Sequence, residues 1–377
     1  MTNDVKNVPE WRFAGFVDEW EKKLLNEIAN VQMGQSPNSK NYTDDSQEMI
    51  LVQGNADLKN GKVFPRIFTK EITKLANIGD ILLSVRAPVG EIGISQMPVC
   101  IGRGVCSITS NLFIYYFLDY FNNENKWKKF SQGSTFESIS GNEVRSLIIY
   151  LPSKTEQQKI GDFFSKLDRQ IELEEQKLAK LEEQKKGYMQ KIFSQEIRFK
   201  DDNGNDYPEW ESKKFLDIYK LVPSKNNQIK SSEVVENGII PVVDQGKDIF
   251  LGYSNEKDKA IEDFDNVIVY GDHTTIIKYI KEPFIIGGDG VKLLESNDGS
   301  LIHYLYILLQ YFNVKPEGYK RHYSILKNKM MNISITKEEQ EKIGNFFTKF
   351  DELIEKQNQK IDGLKKRKRG FLQKMFV

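Results

Sequence analysis

Two stretches of the chain place apolar residues at alternating steps of four and three. The first runs Ile160, Phe164, Leu167, Ile171, Leu178, Leu181, Tyr188 and Ile192, with Glu174 and Lys185 filling two places in the series. The second runs Ile343, Phe347, Phe350, Ile354, Ile361, Leu364, Phe371 and Met375, with Gln357 and Lys368 at the matching polar places. A 3.5-residue period is the seam of a coiled coil. Lys, Glu and Gln fill the positions between, and no proline interrupts either run, so each reads as one long helix. Both begin with Ser/Thr-x-x-Glu, Ser153 with Glu156 and Thr336 with Glu339. This spacing predicts capping boxes, in which the hydroxyl takes a first-turn N–H and the glutamate reaches back.

The two runs are copies. Residues 155–193 and 338–376 align without a gap at a constant offset of 183, with 19 of 39 positions identical. The polar seam positions predict how they pair. A parallel pair would set Lys185 against Lys368, a like-charge contact. An antiparallel pair sets Glu174 against Lys368 and Lys185 against Gln357, and is the arrangement expected. About 40 residues at ~1.5 Å each span roughly 60 Å, longer than one turn of DNA at about 34–36 Å. A dimerisation stalk between separate chains is the rival reading; duplication inside one polypeptide favours internal pairing.

A weaker repeat precedes each globular stretch. Arg12-Phe13 followed by Asp18-Glu19-Trp20-Glu21 resembles Arg198-Phe199 followed by Pro208-Glu209-Trp210-Glu211, and a Lys-Lys and an apolar pair follow in each case. The chain therefore divides into a domain over 1–152, a helix over 153–197, a second domain over 198–335 and a second helix over 336–377. Short β-rich runs between turn signals fall at 49–53, 80–85 and 91–94, and at 239–243, 266–270, 275–280 and 283–286. Apolar helical stretches follow at 112–121 and 300–312. The strands leave little room for crossover helices, so the expected class is α+β: two mixed α/β domains and two long helices in an antiparallel coiled coil, a pseudo-twofold internal repeat.

Charge changes the picture next. Lys and Arg number 54, as do Asp and Glu. The stretch 1–153 holds 16 basic and 17 acidic residues, and 198–335 holds 18 and 21, so neither domain is basic by itself. A free-standing DNA binder ordinarily carries a basic excess, so any DNA binding here needs a partner to share the phosphate neutralisation. Cys100 and Cys106 read as core thiols of a reducing cytoplasm rather than a disulfide framework. The apolar run at 301–312 is too short to span a membrane, and a soluble cytoplasmic protein is expected. His273, His303 and His322 are scattered, and no Cys/His spacing matches a zinc site. Gly287-Gly288-Asp289-Gly290 lacks the Gly-Lys-Ser/Thr of a phosphate loop and reads as a turn.

Polar, basic and aromatic residues gather instead in loop-like stretches. The candidates for nucleic-acid contact are Gln35, Ser36, Lys40 and Tyr42; Arg86 and Arg103, on turns after strand-like runs; Gln132, Ser134 and Thr135; His273, Thr274 and Lys278; and Lys320, Arg321, His322 and Tyr323. Arg, Lys, Asn and Gln suit base edges, while hydroxyls and loop N–H groups suit phosphates.

With these residues in place, the chain resembles the specificity subunits of type I restriction-modification systems. LPSKTEQQKIGDFFSKLDRQI (151–171) and its copy ITKEEQEKIGNFFTKFDELI (335–354) carry the resemblance. GDILLSVRAPVGEIGI (79–94) and GRGVCSI (102–108) look like one target-recognition domain of that family; GDHTTIIKYI and PFIIGGDGVKLL (within 271–294) look like a different one. The resemblance implies a non-catalytic subunit whose two recognition domains each read half of a bipartite, asymmetric target in double-stranded DNA. It implies that the paired helices set the gap and dock two methyltransferase subunits, with two restriction subunits joining. No cofactor is expected on this chain; S-adenosylmethionine, ATP and magnesium are expected on the partners. The alternative is a coiled-coil protein-binding adaptor without DNA contact.

Overall fold

A computed structural model describes residues 7–130, 138–318 and 320–377. The chain forms two compact units, one of residues 1–175 with 359–377 and the other of residues 176–358.

In the first unit the apolar runs become a mixed six-stranded sheet. Its order is Asn30–Met33, Val105–Thr109, Ile81–Ser84, Ile92–Ile94, Lys62–Val63 and Leu58–Lys59. All four residues of the central strand Ile81–Ser84 are buried, as a strand covered on both faces must be. Beside it, Met49–Val52 runs parallel to Val99–Ile101 in a second, five-stranded sheet. The weaker repeat supplies strand Glu21–Leu24, which pairs antiparallel with Ile148–Leu151 just ahead of the first long helix.

The second unit repeats the plan. Tyr219–Val222, Val291–Ser296, Ile268–Gly271 and Ile277–Lys278 form one sheet in that order. Ile240–Val243 runs parallel to Ile285–Gly287 in another. Glu211–Lys214 pairs with Met330–Ile333 ahead of the second long helix.

The long helices span Lys154–Phe193 and Lys337–Met375. Each gives one half to each unit, and within each unit the two halves run antiparallel. Phe163 lies 5.0 Å from Phe371 and Phe164 lies 6.0 Å from Phe376, ring centroid to centroid. In the second unit Tyr188 meets Phe346 at 5.3 Å and Phe193 meets Phe347 at 6.4 Å. A third helix completes each junction. Leu112–Asn123 contributes Phe113, Tyr116 and Phe117 to a core shared with Ile160, Phe164, Leu372 and Phe376. Ile302–Phe312 contributes Tyr304, Leu305 and Leu308 to one shared with Ile192, Phe193, Ile343 and Phe347. Each fully buried Phe or Leu contributes about 1.5–3 kcal/mol. The close approach needs a glycine at the same place in both copies. A Cβ on Gly161 would stand 2.8 Å from Leu112 Cβ, and one on Gly344 would overlap the His303 ring. Of the remaining seam positions, Leu167, Ile171 and Ile361 are buried, while Leu178, Leu181, Phe350, Ile354 and Leu364 are half-buried.

Two expectations need correction. The polar seam partners differ from those the sequence predicts: Glu174 pairs with Lys360 at 2.9 Å, Lys368 with Asp168 at 2.8 Å and Asp119 at 2.9 Å, and Lys185 with Asp351 at 2.6 Å. The aromatic layers set the register, and the third helix brings Asp119 and Gln310 to the lysines, so the seam's own polar residues need not face one another. The capping boxes are also incomplete. Glu156 donates its N–H to Ser153 Oγ at 3.3 Å, but its carboxylate is taken by Arg12 through two bonds of 2.6 and 2.7 Å. Glu339 accepts from Arg198, Trp210 Nε1 and Ser334 Oγ, and Thr336 Oγ1 is buried without a hydrogen-bond partner among the described residues. Both carboxylates are buried, and a buried anion takes a charged donor in preference to a helix-end amide.

Candidate nucleic-acid interface

In the first unit the central strands end at a cluster of turns. Beyond Asn30–Met33, Gly34 N–H donates to Val105 O and Gln35 N–H to Ile101 O, both at 2.9 Å. This holds 34–36 against the turn Gly102-Arg103-Gly104, where Arg103 N–H donates to Ser36 Oγ at 3.1 Å. Gly104 sits so close to the strand end at Gln53 that a Cβ would run into the Gln53 carbonyl. Val85 N–H donates to Gly104 O at 2.9 Å, which sets Arg86 beside the same turn.

The result is a cleft of about 380 Å³ lined by Ser36, Tyr42, Gln53, Arg86, Arg103 and Gly104, with Pro37 and Ser39. Four of the sequence candidates meet here. Both guanidinium-bearing residues are exposed, and neither side chain has an acid or hydrogen-bond partner among the described residues. Two like charges lining one concave site attract an electron-rich ligand. Lys40 lies nearby on an exposed turn capped by Asn38, and Gln35 is exposed.

The second unit builds the same frame. Gly271 pairs with Val291 as Ser84 pairs with Val105, and Asp272 N–H donates to Gly290 O at 2.7 Å as Val85 does to Gly104. Arg86 therefore matches His273, and the turn Gly102-Arg103-Gly104 matches Gly288-Asp289-Gly290. Gln53, at a strand end before Gly54, matches Gln245, at a strand end before Gly246. Gly290 packs on the Gln245 side chain as Gly104 packs on Gln53.

The chemistry on this frame is different. Gln245 Oε1 accepts the His273 N–H at 3.2 Å, and Thr274 Oγ1 donates to Gln245 O at 2.6 Å. Gln228 Nε2 donates to Asp289 Oδ1 at 3.0 Å. His273 Nδ1 lies 3.1 Å from the carbonyl of Lys320, which brings 320–323 to the cluster. Lys320 and Arg321 are exposed, Lys320 beside Glu317 at 3.1 Å.

Two of the predicted contacts serve the framework instead. Lys278 is 7% exposed; its Nζ donates to the carbonyls of Asp244 and Asp248 at 2.9 and 2.6 Å and pairs with the Asp244 carboxylate at 3.4 Å. Burial pushes its ammonium below the ordinary lysine value, with Asp244 opposing. His322 is fully buried. Its Nε2 accepts the Glu317 N–H at 2.9 Å, so Nδ1 carries the proton and donates to Asp272 O at 3.0 Å. Tyr323 is half-buried against Phe215, its N–H donating to Asp272 Oδ1 at 2.8 Å. Gln132, Ser134 and Thr135 lie outside the described residues. The basic run 365–369 is largely spent inside its unit: Lys365 pairs with Glu175 at 2.6 Å, Lys368 with its two aspartates, and Arg367 lies over Phe371.

Gln53, Gln245 and Asp289 escape sequence reasoning. The signal was present in the paired Gln-Gly and Gly-x-Gly-Val strings, but each is too short to align without the strand register. Among the described residues no cluster of His, Cys, Asp or Glu could hold a metal ion, and no helix is long and apolar enough to cross a membrane.

Comparison with known proteins closes the description. A family model, the type I restriction modification DNA specificity domain, matches twice, at 17–183 and 207–366. The putative type I restriction enzyme MjaX specificity subunit of Methanocaldococcus jannaschii is 33% identical over 191 residues, 48% of this chain and 44% of that one. The MjaIX specificity subunit of the same organism is 27% identical over 250 residues, 60% and 57% of the two chains. The chain thus spans about half the length of the curated relatives it matches. In fold it is similar to the type I restriction-modification S subunit of M. genitalium, with a TM-score of 0.64 at 17% identity over 98% of this chain and 99% of that one.

Proposed function

The chain belongs to the type I restriction modification DNA specificity domain family, and from that premise we propose that it is the DNA-reading, non-catalytic subunit of a type I restriction-modification complex. Each unit's cluster of turns reads one half of a bipartite, asymmetric target in double-stranded DNA. In functional terms the recognition domains are 1–152 and 198–335. The helices 153–197 and 336–377 set the distance between half-sites and dock two methyltransferase subunits, and two restriction subunits complete the assembly. S-adenosylmethionine, ATP and magnesium belong to those partners, and the complex works in the cytoplasm.

One observation carries the reading. Two clusters are built on the same hydrogen-bonded frame yet present Gln53, Arg86 and Arg103 in one and Gln245, His273 and Asp289 in the other. A shared scaffold with exchanged polar side chains is what two readers of different base sequences need. The test is selection from a random duplex library by the chain assembled with its methyltransferase subunits. Enrichment of one motif with two defined segments and an undefined gap supports the reading. Enrichment of a single uninterrupted motif, or of none, overturns it.

A further inference from the structure

The middle residue of the Gly-x-Gly turn holds the same place in both units. Its neighbours are pinned. A Cβ on Gly102 would crowd Ser36 Oγ at 3.2 Å, and Gly104 has no room for one at all. In the second unit Gly288 and Gly290 hold left-handed φ values of +81° and +87°, which a side chain resists. Only Arg103 in one unit, and Asp289 in the other, projects from the turn, and both are exposed.

These two residues are opposite in charge and in hydrogen-bonding sense. A guanidinium only donates, and a carboxylate only accepts. That contrast says what the position faces. If it lay against the phosphate backbone, Arg103 would be favourable but Asp289 would be repelled, because every phosphate is an anion whatever the sequence. Base edges are the surface of a duplex on which either polarity is useful, since donors and acceptors alternate there with sequence.

We infer that this turn residue sets base identity in each half-site: Arg103 selects guanine, and Asp289 selects cytosine or adenine, the bases whose exocyclic amine faces the major groove. The inference rests on the proposed DNA-reading function. The planar fork of Arg103 matches the O6 and N7 acceptors of guanine, and Arg86, which lines the same cleft, brings a second guanidinium to that electron-rich edge. At Asp289, Gln228 holds Oδ1 at 3.0 Å, which orients the carboxylate while Oδ2 accepts from cytosine N4 or adenine N6. The same carboxylate rejects guanine, whose O6 and N7 offer it no donor.

The experiment is library selection by the full chain in complex with its methyltransferase subunits, with Arg103→Ala, Arg103→Lys and Asp289→Asn run beside the unsubstituted protein. Both positions are exposed, and matching thermal melts check that the variants fold. Arg103→Ala should cut the preference for guanine at one position of one half-site about tenfold, and leave the other half-site unchanged. Arg103→Lys keeps the charge but loses the fork, and should relax the same position. Asp289→Asn should relax a cytosine or adenine position in the opposite half-site, the unsubstituted motif reading out which of the two it is. The inference is overturned if Arg103→Ala weakens all sequences equally with the motif intact, or if both substitutions alter the same half-site. A complex that enriches no bipartite motif before any substitution sinks the underlying function instead.

Discussion

Lys368 Nζ lies 2.8 Å from Asp168 Oδ1, and the same two positions of the repeat, with helices exchanged, place Lys185 Nζ 2.6 Å from Asp351 Oδ1. Each pair closes the three-helix junction of its own unit. The third helix answers differently in the two units, with the Asp119 carboxylate at 2.9 Å from Lys368 and the neutral Gln310 Oε1 at 3.1 Å from Lys185. Burial alone would lower the Lys368 ammonium, but Asp119 and Asp168 together outweigh it and hold it above the ordinary lysine value.

The junctions should therefore respond unequally to loss of the lysine. Lys368→Met keeps the aliphatic stem but leaves two carboxylates facing each other, and should cost about 1–3 kcal/mol, below the full buried-pair penalty because both acids retain some solvent. Lys185→Met leaves one carboxylate that is more than a third exposed, and should cost about 1 kcal/mol or less. Denaturant titrations of the two variants check the order; equal midpoints would contradict it.

A similar asymmetry governs the helix entries. Among the described residues, Arg12 alone supplies hydrogen bonds to the Glu156 carboxylate, which is fully buried. Arg198 shares Glu339 with Trp210 and Ser334. Arg12→Ala should destabilise its unit by about 3–5 kcal/mol through the unpaired buried charge, and Arg198→Ala by clearly less. Hydrogen exchange across 21–24 and 148–151, against 211–214 and 330–333, localises the loss to one unit or the other.

The fit of helix to helix also predicts a pH response. Burial pushes the His303 imidazole below its ordinary value, against the opposing pull of Glu341, and Nε2 has no hydrogen-bond partner among the described residues. As pH falls below about 6.5, the unfolded chain takes up a proton that the folded chain refuses. Stability is thus lost from there down to the folded value. His303→Gln should shrink the difference in thermal midpoint between about pH 7.5 and pH 5.5; an unchanged difference would contradict this. Gly344→Ala, which drives a methyl into the same ring, should cost about 1–3 kcal/mol at either pH.

How much of this was legible beforehand depended on the length of the signal. The long helices were readable because 39 residues repeat at one offset, and the strand near 81–84 because its apolar run has no helical period. Seam partners were not, because register is fixed by aromatic packing from a third helix that the heptad pattern does not contain. Arg86 and Arg103 could be chosen as basic residues on turns. Lys278 and His322 met the same criterion and proved to be buried, since only the folded chain shows that Asp244 and Asp272 claim them. Asp289 was passed over because an acid is an unpromising DNA ligand until its frame is seen to match that of Arg103.

The charge balance yields a further prediction. With neither domain basic, the chain alone should bind duplex DNA weakly, and binding should tighten at least tenfold on assembly with methyltransferase subunits that share the phosphate contacts. Titration at two salt concentrations checks it; nanomolar, sequence-specific binding by the chain alone would count against it.

Seam disruption tests the helices as a ruler. Ile361 is buried and Leu178 half-buried on their respective helices. Replacing both by Lys should loosen the pairing within each unit and blur the gap between half-sites, with each half-site sequence retained. Selected motifs with an unchanged, sharply defined gap would argue against the helices as the spacer.

The most direct measurement is a base-modification map of the host genome with and without the gene for this chain. The account predicts one asymmetric motif, two short defined segments around a fixed gap, that is modified only when the gene is present. Identical maps from the two strains would contradict it.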